Sequence, residues 1–151
     1  MGQWPRLQSG GIRCMDSKIM EEEVKYIASS DAKGNPLNGD KNYKLHLPPD
    51  IPARNFWSVI VYDSQTRLMI QTGQSWPSVH SQSRKLVFNQ DGSVDVYFGP
   101  KTLIGKENNW INTIPGKAWN MILRLYGPMD SWFDHTWRPS EIKEWETNRE
   151  Y

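Results

Sequence analysis

Cysteine is almost missing from this chain. Cys14 stands alone among 151 residues, so no disulfide can close within the chain and no cysteine-built zinc site can form. Life without crosslinks suits a reducing compartment, although periplasmic proteins also manage without them. An excess of one charge is missing too. Lysine and arginine number 18 against 17 acidic residues, a formal net charge of +1. Nothing in that balance would neutralise a phosphate backbone or an anionic lipid surface, so nucleic acid is not an expected partner. Long apolar runs are absent. No stretch approaches the roughly 20 residues of a membrane span, and Gly10, Gly11 and Arg13 interrupt Met1–Met20, where a signal peptide would need its apolar stretch. The expectation is a chain that crosses no membrane and stays soluble where it is made. Histidine occurs only as His46, His80 and His135, with no pair at helical ligand spacing, so no metal site and no cofactor are expected. Internal repeats and low-complexity tracts are lacking as well.

Tryptophan is what the chain has in abundance. There are eight, at positions 4, 57, 76, 110, 119, 132, 137 and 145. Each brings a large apolar face and one N–H that needs a partner. That is more than one small core usually hides, so some are expected at a surface, groove or interface. The length suits a single domain able to bury roughly two thirds of its unfolded surface. With 37% hydrophobic and 23% charged residues, the composition is that of an ordinary globular protein.

Residues 1–23 carry no sustained periodicity and are expected to be poorly ordered or helical, with a helix start around Met20–Glu23 giving way to strand by Tyr26. Beyond them the signal is β. Tyr43, Leu45 and Leu47 alternate with Lys44 and His46, and Pro48-Pro49 stops the strand. Phe56–Tyr62 is apolar on both faces, which predicts a central strand covered on both sides. Asp63–Thr66 predicts a turn with Arg67–Gln71 returning as a hairpin partner, and residues 72–84 a long loop. Asp91-Gly92 between Lys85–Asn89 and Ser93–Phe98 is a strong hairpin signal, with Val94, Val96 and Phe98 on one face and Ser93, Asp95 and Tyr97 on the other. Asn108–Thr113 reads as a short strand. Trp119, Met121, Leu123 and Leu125 line one face of the last long strand, which Gly127-Pro128 closes. Ser131–Phe133 starts a short helix or edge segment, and Ser140 is a helix N-cap before Glu141–Glu144. About seven short strands with closely spaced Gly/Pro turns predict an all-β antiparallel sandwich or barrel with short helical segments near the termini. The domain is placed at 24–142 and a tail at 143–151.

Four blocks stand in order: Phe56-Trp57-Ser58-Val59-x-Val61-Tyr62-Asp63, Asp91 to Pro100, Gly105-Lys106-Glu107-x-Asn109-Trp110-Ile111, and Leu123-Arg124-Leu125-Tyr126-Gly127-Pro128. Asp31-x-x-Gly34-Asn35-Pro36-Leu37-x-Gly39 and Tyr43-x-Leu45-His46-Leu47-Pro48-Pro49 precede or join them. Over residues 26–142 the chain resembles the C-terminal domain of a widespread, mostly bacterial family of two-domain proteins of unknown function. The resemblance implies a jelly-roll-like β-sandwich and no established activity. It also implies an upstream companion β domain and, in many relatives, an export signal to the periplasm or envelope. Neither is found in this chain, which is therefore expected to be a truncated or stand-alone version. Its orphaned interface is expected to meet a companion β domain or to make a homo-oligomer.

The candidate chemistry is thin. Asp63, Asp95 and Glu107 could serve as paired acids for glycoside hydrolysis. Asp63 is expected instead to close a turn by accepting backbone N–H groups, and Asp95 to face solvent or pair with Arg124 across strands. Ser78, His80, Asp134 and His135 supply the residue types of a nucleophilic triad, but no Gly-x-Ser-x-Gly elbow accompanies them. Gly105-Lys106 lacks the spacing of a phosphate loop. The catalytic candidates are thus Asp63, Glu107 and His135, for a hydrolase acting on a carbohydrate or another small polar substrate. The ligand-binding candidates are Trp76, His80, Trp110, Trp132 and Trp137, whose flat rings at loops and strand ends suit sugars or cap the core. The first reading is a non-catalytic binding or structural module.

Overall fold

The computed structural model describes residues 23–70, 72, 77–101 and 105–145. Eight strands run in the order β1 (Glu23–Ala28), β2 (Tyr43–Leu47), β3 (Ala53–Asp63), β4 (Ser78–His80), β5 (Val94–Gly99), β6 (Trp110–Asn112), β7 (Trp119–Pro128) and β8 (Lys143–Glu144). Among the described residues, a 3-10 turn at Glu107–Asn109 and one short helix, α1 (Asp130–Phe133), complete the elements. The strands form two sheets, ordered β1-β7-β3-β4 and β6-β5-β2-β8. Every pairing is antiparallel except β5 with β6. The fold is an all-β sandwich, as the alternation and turns predict.

Alternation explains the layering. Side chains two apart share a face, so Val24, Tyr26 and Ala28, then Trp57, Val59 and Val61, then Trp119, Met121, Leu123 and Leu125 project inward from the first sheet. From the second come Tyr43, Leu45 and Leu47, Val94, Val96 and Phe98, and Ile111. All are buried in one cluster together with Leu37, Ile70, Trp132, Trp137 and Ile142. Trp119 is its largest fully buried side chain. Its ring stacks on Phe98 at 4.8 Å and meets Tyr43 edge-on at 5.6 Å. The long partners β3 and β7 hold register from Phe56↔Tyr126 to Asp63↔Trp119, with an irregularity between Ala53 and Phe56. There Gly127 adopts φ +71, and a Cβ would press on Arg54 and Asn55. Only glycine tolerates both demands.

Several local expectations are corrected. The Asp91-Gly92 turn forms: Gly92 has φ +91 and donates its N–H to the Asn89 carbonyl at 2.9 Å. Lys85–Asn89 nevertheless does not become a strand, because β2 and β6 already occupy both edges of β5. Among the described residues the return after Asp63 does pair back on β3, but as a single antiparallel bridge, Tyr62↔Met69, flanked by the Asp63 N–H on the Leu68 carbonyl and the Ile70 N–H on the Val61 carbonyl. Farther along the same edge of β3, Ser78–His80 takes over as β4, a strand within the stretch expected to be loop. Ser140 caps no helix. Its Oγ accepts the His46 N–H at 2.9 Å and its own N–H goes to the His46 carbonyl, so the chain zips onto the open edge of β2 and continues as β8. The sheet therefore takes in Lys143–Glu144, beyond residue 142. Finally, Asp95 does not pair with Arg124. They lie on different sheets, and Arg124 instead reaches Glu23 at 3.3 Å and Tyr62 at 3.2 Å.

Candidate functional site

The residues singled out from the sequence scatter. Asp63 ends β3 in the expected turn role: Oδ1 accepts the N–H groups of Gln65 at 2.8 Å and Thr66 at 3.3 Å, and Oδ2 faces Lys117 Nζ at 3.3 Å. The Gln65 N–H, followed by that of Thr66 and by Lys117, holds its carboxyl below the usual carboxylate range against the opposing pull of desolvation. Asp63 is in register with Trp119, the first residue of β7, whereas His135 lies past α1, beyond the other end of that strand. Nine residue steps at strand rise separate those ends by roughly 30 Å, so Asp63 and His135 are not brought together. Glu107 is exposed in the 3-10 turn beside β5, its Oε2 accepting the Gly105 N–H at 3.3 Å.

The aromatic candidates divide. Trp132 and Trp137 pack on each other at 6.4 Å within the core, and Trp137 Nε1 donates to the Pro48 carbonyl at 3.0 Å. They cap the sandwich. His80 sits on the outer side of the first sheet against Phe56, with Nδ1 buried and lacking a hydrogen-bond partner among the described residues. Trp76 lies outside the described residues. Trp110 lies nearest a site: β6 places it beside Tyr97 of β5 on the outer face of the second sheet, although it does not itself line the cleft there.

That outer face holds a cleft of about 80 Å³ bordered by Asn89, Asp95, Tyr97, Lys106, Asn108 and Asn109, with Val87 and Gly105. Strand pairing assembles it. β2 and β5 lie in antiparallel register with His46 opposite Asp95 and Lys44 opposite Tyr97. His46 Nδ1 donates to Asp95 Oδ1 at 2.7 Å, Asn89 Nδ2 donates to Oδ2 at 3.2 Å, and Lys44 Nζ lies 3.8 Å from that oxygen. Behind them, buried Asn109 ties the wall together. Its Oδ1 accepts the Val87 N–H at 3.0 Å, and its Nδ2 donates to the carbonyls of Val87 and Asp95, both at 2.9 Å. Lys106 Nζ hangs over the rings of Tyr97 and Trp145, 5.3 and 6.0 Å from their centroids. The cleft thus offers a carboxylate with acceptor capacity to spare, amide groups, an ammonium and flat rings. Such a set can hold a small polar molecule by hydrogen bonds and ring contacts. Among the described residues no group of three histidine, cysteine or acidic side chains is placed to hold a metal ion.

Part of this was visible in the sequence. Alternation alone puts Lys44 with His46 and Asp95 with Tyr97 on outward faces. What no local pattern reveals is that β2 pairs with β5, 49 positions away in the His46–Asp95 contact, or that the segment after residue 142 returns to lay Trp145 on Tyr97.

A family model described as protein of unknown function (DUF1214) matches residues 22–130, and the chain belongs to that family. No curated protein matches it. Among solved structures it is similar to the VPA0106 protein from Vibrio parahaemolyticus, at 24% identity and a TM-score of 0.70 over 84% of this chain and 31% of that one. A putative uncharacterized protein from Burkholderia cenocepacia aligns at 15% identity and a TM-score of 0.48, over 95% of this chain and 40% of that one. The chain thus spans well under half the length of either.

Proposed function

We propose that this member of a family without an assigned activity is a non-catalytic binding module, and that the cleft around Asp95 receives a small polar ligand. The carrying observation is the convergence of His46, Asn89 and Lys44 on one carboxylate at the border of an open cleft, with distances of 2.7, 3.2 and 3.8 Å. These contacts orient Asp95 and leave it lone pairs for a hydroxyl or amine donor. The hydrolase reading leans on Asp63, Glu107 and His135, and the separation of Asp63 from His135 along β7 leaves it without a shared site.

A second element of the proposal is the setting. The chain corresponds to one domain, the C-terminal one, of a longer two-domain architecture, in keeping with its alignment to only 31% of the Vibrio protein. The outer face of the first sheet is the surface for a companion β domain or a second copy. Ile27 there is 40% exposed, and Phe56, Ile60, Ile122 and Tyr126 around it are half-buried. No helix among the described residues is long and apolar enough to cross a membrane.

The test of the binding proposal is a titration of the 15N-labelled chain with monosaccharides, amino acids and small amines. Shifts confined to Asn89, Asp95, Lys106, Asn108 and Trp110, and lost in Asp95→Ala, are expected. Resonances left unmoved by this panel and by tetramethylammonium alike overturn the proposal.

A further inference from the structure

Two rings and one cation make a distinct corner of the cleft. The centroids of Tyr97 and Trp145 lie 4.9 Å apart with their planes at 52°. Lys106 Nζ stands 5.3 Å from one centroid and 6.0 Å from the other, both within the roughly 6 Å over which a ring face attracts a cation. Trp110 flanks the same corner, in register with Tyr97 on β6. Lys106 is carried on a connecting segment just after Gly105, which has φ +81, and it immediately precedes the 3-10 turn. The walls are therefore set by strand pairing, while their occupant sits on a long flexible stem that is free to rotate away.

We propose that Tyr97 and Trp145 form a site for an organic cation of the quaternary-ammonium class, and that Lys106 is the chain's own occupant of that site, displaced when the ligand binds. The proposal rests on the reading of the cleft as a binding site and commits it to a ligand class. Three observations carry it. First, an aromatic face attracts a cation whatever its source, and the bound lysine already marks the favourable position. Second, a lysine ammonium is compact and strongly hydrated, whereas a methylated ammonium has no N–H to solvate and buries its methyl groups against rings at lower cost. Third, charge favours the exchange. With Lys106 withdrawn, the Asp95 carboxylate, which borders the cleft, remains to face an incoming cation. A cleft of about 80 Å³ is well below the roughly 300–1,000 Å³ of a drug-sized site, so it admits a head group rather than a large metabolite.

The experiment uses the full chain and tetramethylammonium chloride as the probe, at constant ionic strength against sodium chloride. Indole N–H resonances and tryptophan fluorescence report binding, and tert-butanol serves as the neutral control of similar shape. Tetramethylammonium is expected to shift the signals of Trp145 and Trp110, and tert-butanol to leave them in place. Lys106→Ala is expected to bind the probe about fivefold tighter, the inverse of losing one exposed cation–π contact. Tyr97→Leu and Trp145→Leu, each checked for an unchanged fold by circular dichroism, are expected to weaken it at least about tenfold. Equal response to tert-butanol, or an affinity indifferent to Lys106→Ala, overturns the proposal. If a sugar or amino acid shifts the cleft while tetramethylammonium does not, the ligand class is wrong and the binding module stands. If nothing in either panel shifts it, both fall.

Discussion

Asn109 is the residue on which the cleft and the fold depend together, and its removal has a calculable cost. The side chain is buried, and it makes three hydrogen bonds, of 3.0, 2.9 and 2.9 Å, to the backbone of Val87 and Asp95. Asn109→Ala leaves one N–H and two carbonyls without that partner. A buried group stranded this way costs about 1–3 kcal/mol, less where water can reach it. The cleft adjoins all three, so the lower end applies to each, and the expected total is about 3 kcal/mol. With a urea slope of about 2 kcal/mol per molar, the unfolding midpoint falls by about 1.5 M. Asn109→Asp sharpens the test. One oxygen can still accept the Val87 N–H, but the other then confronts two carbonyl acceptors, which disfavours the ionised form and raises the folded-state pKa of the new carboxyl. For a raised pKa the sign is fixed. The variant is least penalised below the unfolded value near about 3.9, where the acid can donate to a carbonyl, and the penalty grows as pH rises through the folded value. Asn109→Asp should therefore approach the parent's stability in acid and resemble Asn109→Ala at neutral pH. A midpoint shift under about 0.5 M for Asn109→Ala, or a pH-independent deficit for Asn109→Asp, would refute the clamp.

Three further outcomes are expected. Trp119 is wholly buried between Phe98 and Tyr43, and its Nε1 has no hydrogen-bond partner among the described residues; Trp119→Ala should cost about 3–5 kcal/mol in urea unfolding, while Trp119→Phe, which removes the stranded N–H along with some volume, should cost less than half as much. Gly39→Ala drives a methyl group into the Ile114 carbonyl; overpacking of about 1–3 kcal/mol should lower the thermal midpoint by roughly 5–10 °C, and an unchanged midpoint would contradict the close approach. The pKa values of Asp63, Asp91 and Asp134 are depressed in the fold, chiefly by the Gln65 N–H, the Ser93 hydroxyl and the Thr136 hydroxyl respectively. Depressed values add stability above the unfolded pKa near about 3.9 and lose it as pH falls through the folded values. Melting scans below pH 4 should therefore show a steeper decline for the parent than for a variant carrying all three Asp→Asn changes.

How far the sequence was legible depends on the range of the interaction. The strands β2, β5 and β7 follow from alternation because each has one face in the same core, and a one-residue slip would bury Lys44, Asp95 or Arg124; β3, expected to be covered on both faces, has one face in that core and leaves Phe56, Ile60 and Tyr62 only half-buried on the other. Asp63 was legible as a turn residue because its acceptors serve N–H groups two and three positions away. The failures are cases where two local signals compete for one edge. Lys85–Asn89 has a proper turn before β5, yet β5 has no free edge for it. Ser140 is a good cap residue, yet the His46 N–H on the edge of β2 is the donor it meets. Trp132 and Trp137 resembled a binding set because their sequence context is turn-rich. Only the packing of α1 under the end of the sandwich shows them to be core.

The parallel pairing of β5 with β6 explains why the cleft lies on the second sheet and not the first. Antiparallel neighbours can be joined at a single end, so their connections need not cross a sheet face; a parallel neighbour requires the chain to travel back before starting again. β5 leaves at Gly99, and β6 begins at Trp110 opposite Tyr97, already two residues back along the sheet. The returning backbone brings the 3-10 turn against β5, where Asn109 reaches the carbonyl of Asp95. It also brings Lys106 over Tyr97. Asn109 then seizes Val87 and holds the failed hairpin arm as the opposite wall. A regular ladder from Lys85 to Asn89 would have filled this space with a paired strand. The cleft exists because β6 took the edge of β5 that the Asp91-Gly92 turn had offered to that arm. The same exchange is what sets a carboxylate, amides and a cation-bearing aromatic corner side by side.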